Sequence, residues 1–66
     1  MKLIKCADGA RYVNPAHIVS VYITDAYENG RPVDGWQVVA NMTFGGGSEI
    51  LFFGSFSECE NYIKNM

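Results

Sequence analysis

Basic charge is scarce in this chain and nowhere gathered. Lys2, Lys5, Arg11, Arg31 and Lys64 are its only cations, set against seven acidic residues for a net charge of −2. Proteins bind duplex nucleic acid largely by displacing counterions with clustered Lys and Arg, so an acidic chain with scattered cations is a poor candidate. Histidine is limited to His17, which follows a Pro turn and has no catalytic partner at a recognisable spacing. It reads as a surface histidine. Cys6 and Cys59 form no Cys-x-x-Cys, and no histidine stands at metal-ligand spacing from them. They read as small buried hydrophobes with free thiols. A disulfide between them is the alternative, because the strand and helix that carry them should touch. Asp25, Glu28 and Asp34 lack the regular oxygen spacing of a calcium loop. Gly45-Gly46-Gly47 lacks the Lys-Ser/Thr ending of a phosphate loop and lies between two strands. No metal, cofactor or catalytic residue is implied, and the chain is read as non-enzymatic.

Long apolar runs are missing too. Nothing approaches the roughly 20 residues of a membrane span. Met1-Lys2-Leu3-Ile4-Lys5 is not followed by the apolar core of a signal peptide. The expected location is therefore cytoplasmic, with reduced thiols.

What is present is apolar and aromatic. The 66 residues are 48% hydrophobic and 14% aromatic. That is no disordered composition, and it makes one domain spanning residues 1–66. So small a core leaves a net stability of only about 3–5 kcal/mol. It also hides fewer aromatic rings than the chain carries, so a homodimer is expected to cover the surplus.

The densest stretch is Ile50-Leu51-Phe52-Phe53-Gly54-Ser55-Phe56-Ser57-Glu58. Four large apolar residues read as a strand with little water on either face. Ser55-x-x-Glu58 and Ser57-x-x-Glu60 both fit a capping box, so a helix follows at once. Phe56, Cys59, Tyr62, Ile63 and Met66 fall at helical spacing and form its buried stripe.

Upstream, Lys2 to Cys6 reads as a short strand turning at Asp8-Gly9, an expected type I′ hairpin turn. This register sets Cys6 opposite Arg11, Lys5 opposite Tyr12 and Ile4 opposite Val13. Asn14-Pro15 ends the second strand in a single helical turn or corner. Ile18 to Tyr27 reads as a strand with Val19, Val21 and Ile23 on one side, and Ile18, Ser20, Tyr22 and Thr24 on the other. Glu28 to Gly35 reads as a long polar loop with a mobile tip. Trp36 to Phe44 alternates, with Trp36, Val38, Ala40, Met42 and Phe44 on one face and Gln37, Val39, Asn41 and Thr43 on the other, the pattern of a half-buried strand. A three-glycine loop after it sets Met42 opposite Ile50 and Ala40 opposite Phe52; a two-glycine loop shifts the register by one and changes the face. The expected fold is α+β: an antiparallel meander sheet of four to five strands with one C-terminal helix on one face.

The order of Gly9, Tyr12-Val13-Asn14-Pro15-Ala16-His17-Ile18, two strands joined at glycines, and Ser55-x-x-Glu58 resembles the FlbD family of short flagellar proteins. The similarity spans most of the chain, which departs from the family in its longer Glu28–Gly35 segment and triple glycine. The resemblance implies a small non-enzymatic accessory protein. No functional residue is carried over.

Tyr12, Tyr22, Tyr27, Trp36, Phe44, Phe52 and Phe53 are the candidate interaction surface, since some lie on a sheet face that one helix cannot cover. The expected function is an accessory or regulatory protein acting by protein–protein interaction. The alternative is a single-stranded nucleic-acid-binding module that stacks bases on an aromatic sheet face. Whirly-type coactivators also place four strands before a helix.

Overall fold

A computed structural model describes residues 2–43 and 47–66. Phe44, Gly45 and Gly46 lie outside the described residues, and with them the expected placement of Phe44 and most of the triple-glycine turn. The strands are β1 (Ile4–Lys5), β2 (Tyr12–Val13), β3 (Ile18–Glu28), β4 (Arg31–Met42) and β5 (Ser48–Gly54), followed by helix α1 (Phe56–Lys64). All pairings are antiparallel. The fold is α+β, as the sequence implies, but the strands do not form a single sheet. β1 and β2 make a two-stranded sheet, and β3–β4–β5 make a three-stranded meander. The division falls at Asn14-Pro15. There Asn14 Oδ1 accepts the Ala16 N–H at 2.9 Å and Pro15–His17 form one 3-10 turn that redirects the chain.

The register of the first hairpin is the expected one, with Ile4 opposite Val13 and Lys5 opposite Tyr12. Its turn is not type I′. Of Asp8 and Gly9, only Gly9 has a positive φ, at 74°. A β-turn closes from the Cys6 carbonyl to the Gly9 N–H at 3.0 Å. The Asp8 carboxylate then accepts the Ala10 and Arg11 N–H groups. The aspartate satisfies backbone donors instead of adopting the left-handed conformation, a common turn role for Asp.

The long polar loop expected over Glu28–Gly35 is a tight hairpin. Asn29 and Gly30 have φ of 52° and 77°, and Glu28 pairs with Arg31 across them. This is the two-residue I′ geometry that Asn-Gly favours. Pro32 lies inside β4 yet breaks nothing. The pair flanking a two-residue turn exchanges hydrogen bonds, so the next pair, Tyr27 and Pro32, is of the non-bonded kind. Pro needs no donor there.

Three register shifts interrupt the pairing. In β3, Val19 is an extra residue between the Ile18–Met42 and Ser20–Asn41 pairs, and between the Asp25–Trp36 and Tyr27–Pro32 pairs β4 carries two residues more than β3. The first puts Ile18 in the core beside Val21 and Ile23 and leaves Val19 66% exposed. Strict alternation assigns Ile18 and Val19 the other way round. In β5, Val38 pairs with Phe52 but Val39 pairs with Ile50, so Leu51 is an extra residue. Neither glycine-loop register expected from the sequence occurs. Ile50 and Phe52 lie on opposite faces, while Leu51 and Phe52 both serve the core. A one-residue insertion of this kind is how a strand changes phase.

The core is the cluster Cys6, Val13, Val38, Ala40, Leu51 and Cys59, with Ile4, Ile18, Trp36, Phe52, Tyr62 and Ile63 among its flanks. Helix α1 supplies Cys59, Tyr62 and Ile63 to it, whereas Phe56 and Met66, expected in the same stripe, are 45% and 52% exposed at its two ends. Of the two possible caps, Ser55–Glu58 is used: the Ser55 side chain accepts the Glu58 N–H at 3.2 Å, and the Ser55 N–H donates to Glu58 Oε1 at 2.8 Å. Gly54 makes this possible. A Cβ there would stand 2.9 Å from both Glu58 Oε1 and a Phe52 ring carbon.

Candidate interaction surface

Helix α1 covers one face of the three-stranded sheet and leaves the other open. The pairings put that open face in rows. Ser20, Asn41 and Ser48 form the first row, Tyr22, Val39 and Ile50 the second, and Thr24, Gln37 and Phe53 the third. None of these nine side chains is charged. The first row is closed by its own hydrogen bonds: Asn41 Nδ2 donates to Ser20 Oγ and Ser48 Oγ donates to Asn41 Oδ1, both at 3.1 Å. The second row is apolar and aromatic, and the third joins Phe53 to the polar Thr24 and Gln37. Tyr22 and Phe53 remain 44% and 49% exposed, while Val39 between the edge strands is only 4% exposed. Gln37 is buried as well, and its Oε1 accepts no hydrogen bond among the described residues.

The seven aromatic residues singled out from the sequence do not form one surface. Tyr22 and Phe53 share the open face. Trp36 and Phe52 belong to the helix side. Trp36 meets Phe56 edge-on at 5.1 Å, and Phe52 stacks on Tyr62 at 4.8 Å with a 16° interplanar angle. Burial raises the Tyr62 hydroxyl above its ordinary pKa. Tyr12 is exposed on the two-stranded sheet, opposite Lys5. Tyr27 is exposed near the tip of the β3–β4 hairpin. Phe44 is outside the described residues.

That hairpin creates the second feature. β5 ends against Trp36, so β3 and β4 run on as a two-stranded arm. The arm extends roughly 14 Å past the sheet at about 3.4 Å per residue. Where it leaves the sheet, a groove of about 510 Å³ opens between Ala26, Tyr27, Val33, Trp36 and Phe53, with Glu28 and Asp34 also on its walls. Neither carboxylate is in an ion pair among the described residues.

The remaining polar chemistry is structural. Arg11 bridges Asp8 at 3.2 Å and Glu49 at 3.0 Å, tying the small hairpin to β5. Backbone donors, first that of Ala10, hold the Asp8 carboxyl below its ordinary pKa. Cys6 and Cys59 are free and buried. Burial pushes both thiols up, and the Cys6 thiol also donates to the Glu49 carboxylate at 3.7 Å. Such thiols are poor nucleophiles at neutral pH. His17 closes the 3-10 turn and its carbonyl accepts the Thr43 N–H at 2.9 Å. Among the described residues no group of three or more His, Cys, Asp or Glu side chains is placed to hold a metal, and no helix is long and apolar enough to cross a membrane.

Sequence reasoning weighs Glu28 and Asp34 only as loop carboxylates without calcium spacing, and gives Ile50 and Val33 no place on a surface. The signal for Glu28, Val33 and Asp34 is Asn29-Gly30: a I′ turn there makes Val33 and Asp34 strand residues rather than loop. No local signal marks Ile50, whose face is decided by the bulge at Leu51. Comparison with known proteins adds nothing to this geometry: no family model, curated protein or solved structure matches the chain.

Proposed function

We propose that this chain is a small non-enzymatic interaction module that pairs with a second copy of itself through the open face of β3–β4–β5. One observation carries the reading. On a chain of net charge −2, this face holds no charged side chain and presents Tyr22 and Phe53 around a dry centre at Val39. Two like-charged copies approach most easily where neither carries charge. Their Tyr and Phe side chains are the types that anchor interfaces. Three strands about 4.8 Å apart and six residues about 3.4 Å each give a modest footprint. That is roughly 300 Å² per copy, or about 600 Å² in all, so the dimer falls well below the roughly 1,200–2,000 Å² typical of stable interfaces and dissociates on dilution. The accessory role implied by the likeness to FlbD proteins is of the same kind.

The same face is poorly suited to stacking single-stranded nucleic acid, which calls for a positively charged groove. The cation lining the cavity beside Ile50 and Phe53 is Arg11, already bridged to Asp8 and Glu49.

Light scattering across a dilution series tests the proposal. A dimer mass that falls to the monomer on dilution is expected, and Tyr22→Glu should give a monomer with unchanged circular dichroism. A wild-type monomer at every concentration overturns it. Binding of a single-stranded oligonucleotide that weakens steeply with salt would favour the stacking alternative.

A further inference from the structure

We infer that the groove at the base of the β3–β4 arm binds a long cationic side chain, lysine or arginine, presented by a basic segment of a protein partner. The inference rests on the reading of this chain as an interaction module, but not on its dimerisation. Three aromatic residues, Tyr27, Trp36 and Phe53, and two acidic residues, Glu28 and Asp34, line one cavity of about 510 Å³. That volume lies within the roughly 300–1,000 Å³ of small-ligand sites. No Lys, Arg or His lines it.

Charge and apolarity are arranged for one class of ligand. Residues 25–35 hold Asp25, Glu28 and Asp34 against Arg31 alone, so this one hairpin carries −2, equal to the net charge of the whole chain. Among the described residues Asp8 and Glu49 share Arg11, while Asp25, Glu28, Asp34, Glu58 and Glu60 form no ion pair; of these five, Glu28 and Asp34 line the groove. A neutral apolar ligand would fill the groove and leave both carboxylates unused. An anionic one would meet repulsion. A lysine or arginine side chain suits both parts. Its aliphatic stem packs on apolar walls while its charged head stays at the polar rim. Aromatic faces attract cations besides. The I′ turn at Asn29-Gly30 and the Tyr27–Pro32 pairing hold the arm in register, so the two carboxylates are presented by a braced hairpin.

The experiment uses the chain's single tryptophan, which lines the groove. Capped tripeptides Gly-Lys-Gly and Gly-Arg-Gly, and the neutral Gly-norleucine-Gly, are titrated while Trp36 emission and amide chemical shifts are followed. The cationic peptides should shift Trp36, Tyr27, Asp34 and Phe53 and bind at least tenfold more tightly than the norleucine peptide. Glu28→Gln with Asp34→Asn should remove most of that preference and leave the circular dichroism unchanged. Equal binding of the norleucine peptide overturns the inference, as does an unaltered preference in the double variant or a set of shifts centred on Asp8 and Glu49. Light scattering on the same samples reads dimerisation separately. Groove binding by a chain that is monomeric at every concentration without peptide would sink the dimer and leave this inference standing.

Discussion

Leu51 and Phe53 stand two residues apart on the same strand, and strict alternation would give them one environment. Leu51 is 3% exposed inside the helix-covered core, whereas Phe53 is half-exposed on the open face. The extra residue at Leu51 separates them. Four consecutive large apolar residues are thereby shared out, with Leu51 and Phe52 serving the core and Ile50 and Phe53 the open side. The two faces differ in kind. One is a packed core whose free energy depends on filled volume. The other keeps aromatic area in water, which a monomer gains little from holding.

The sharpest way to break that comparison is to truncate both residues. Leu51→Ala should cost about 2–5 kcal/mol, the usual range for opening a core cavity. A chain of this size has only about 0.05–0.15 kcal/mol of stability per residue to lose, so thermal melting should show the variant largely unfolded. Phe53→Ala should cost about 1 kcal/mol, because only part of the ring leaves water on folding. Similar losses at the two positions would mean that the faces are not distinct.

A smaller effect sharpens the contrast from the open side. Gln37 is buried there with an Oε1 unpaired among the described residues. An unmade hydrogen bond cannot be lost on substitution. Gln37→Met should therefore leave the melting temperature unchanged, or raise it by the equivalent of about 1 kcal/mol. A loss of 2 kcal/mol or more, on the order of a broken buried hydrogen bond, would show that the amide does hold the sheet together.

The smallest effect lies in the two-stranded sheet. The Asp8 side chain is half-exposed, and backbone N–H donors lower its carboxyl below the ordinary 3.8. A lowered acid contributes stability above its unfolded value, and loses it as pH falls through the folded value. Wild type and Asp8→Asn should thus differ by a small constant amount near neutrality and converge below pH 3.8. Thermal melts across that range measure it. A difference that persists into strong acid would mean that charge is not what Asp8 contributes.

The two hairpins show how far local sequence reaches. Both turns hold an Asx-Gly pair. At Asp8-Gly9 the pairing register follows from the flanking residues, but the turn type does not. Asp8 has two backbone donors within reach and stays out of the left-handed region. At Asn29-Gly30 the dipeptide makes the I′ turn it favours, hidden from a sequence reading by Pro32 and Gly35, which look like loop residues. Pro32 is acceptable because its missing donor falls where none is needed. The aromatic set was legible as a group but not as a surface. Trp36 and Phe52 go to the helix, Tyr22 and Phe53 to the open face.

Sequence by itself determined what depends on near neighbours. The α+β class, a serine-capped helix after Gly54, the helix positions Cys59, Tyr62 and Ile63, and the register of the first hairpin all rest on groups a few residues apart. Tertiary structure alone decided the division into two sheets, the bulges near Val19 and at Leu51, and hence which apolar residues face water. The reason is physical. The phase of a strand is set by the hydrogen-bond ladder it shares with a distant partner. One extra residue in that ladder reverses every side chain beyond it, and no local spacing announces where it falls.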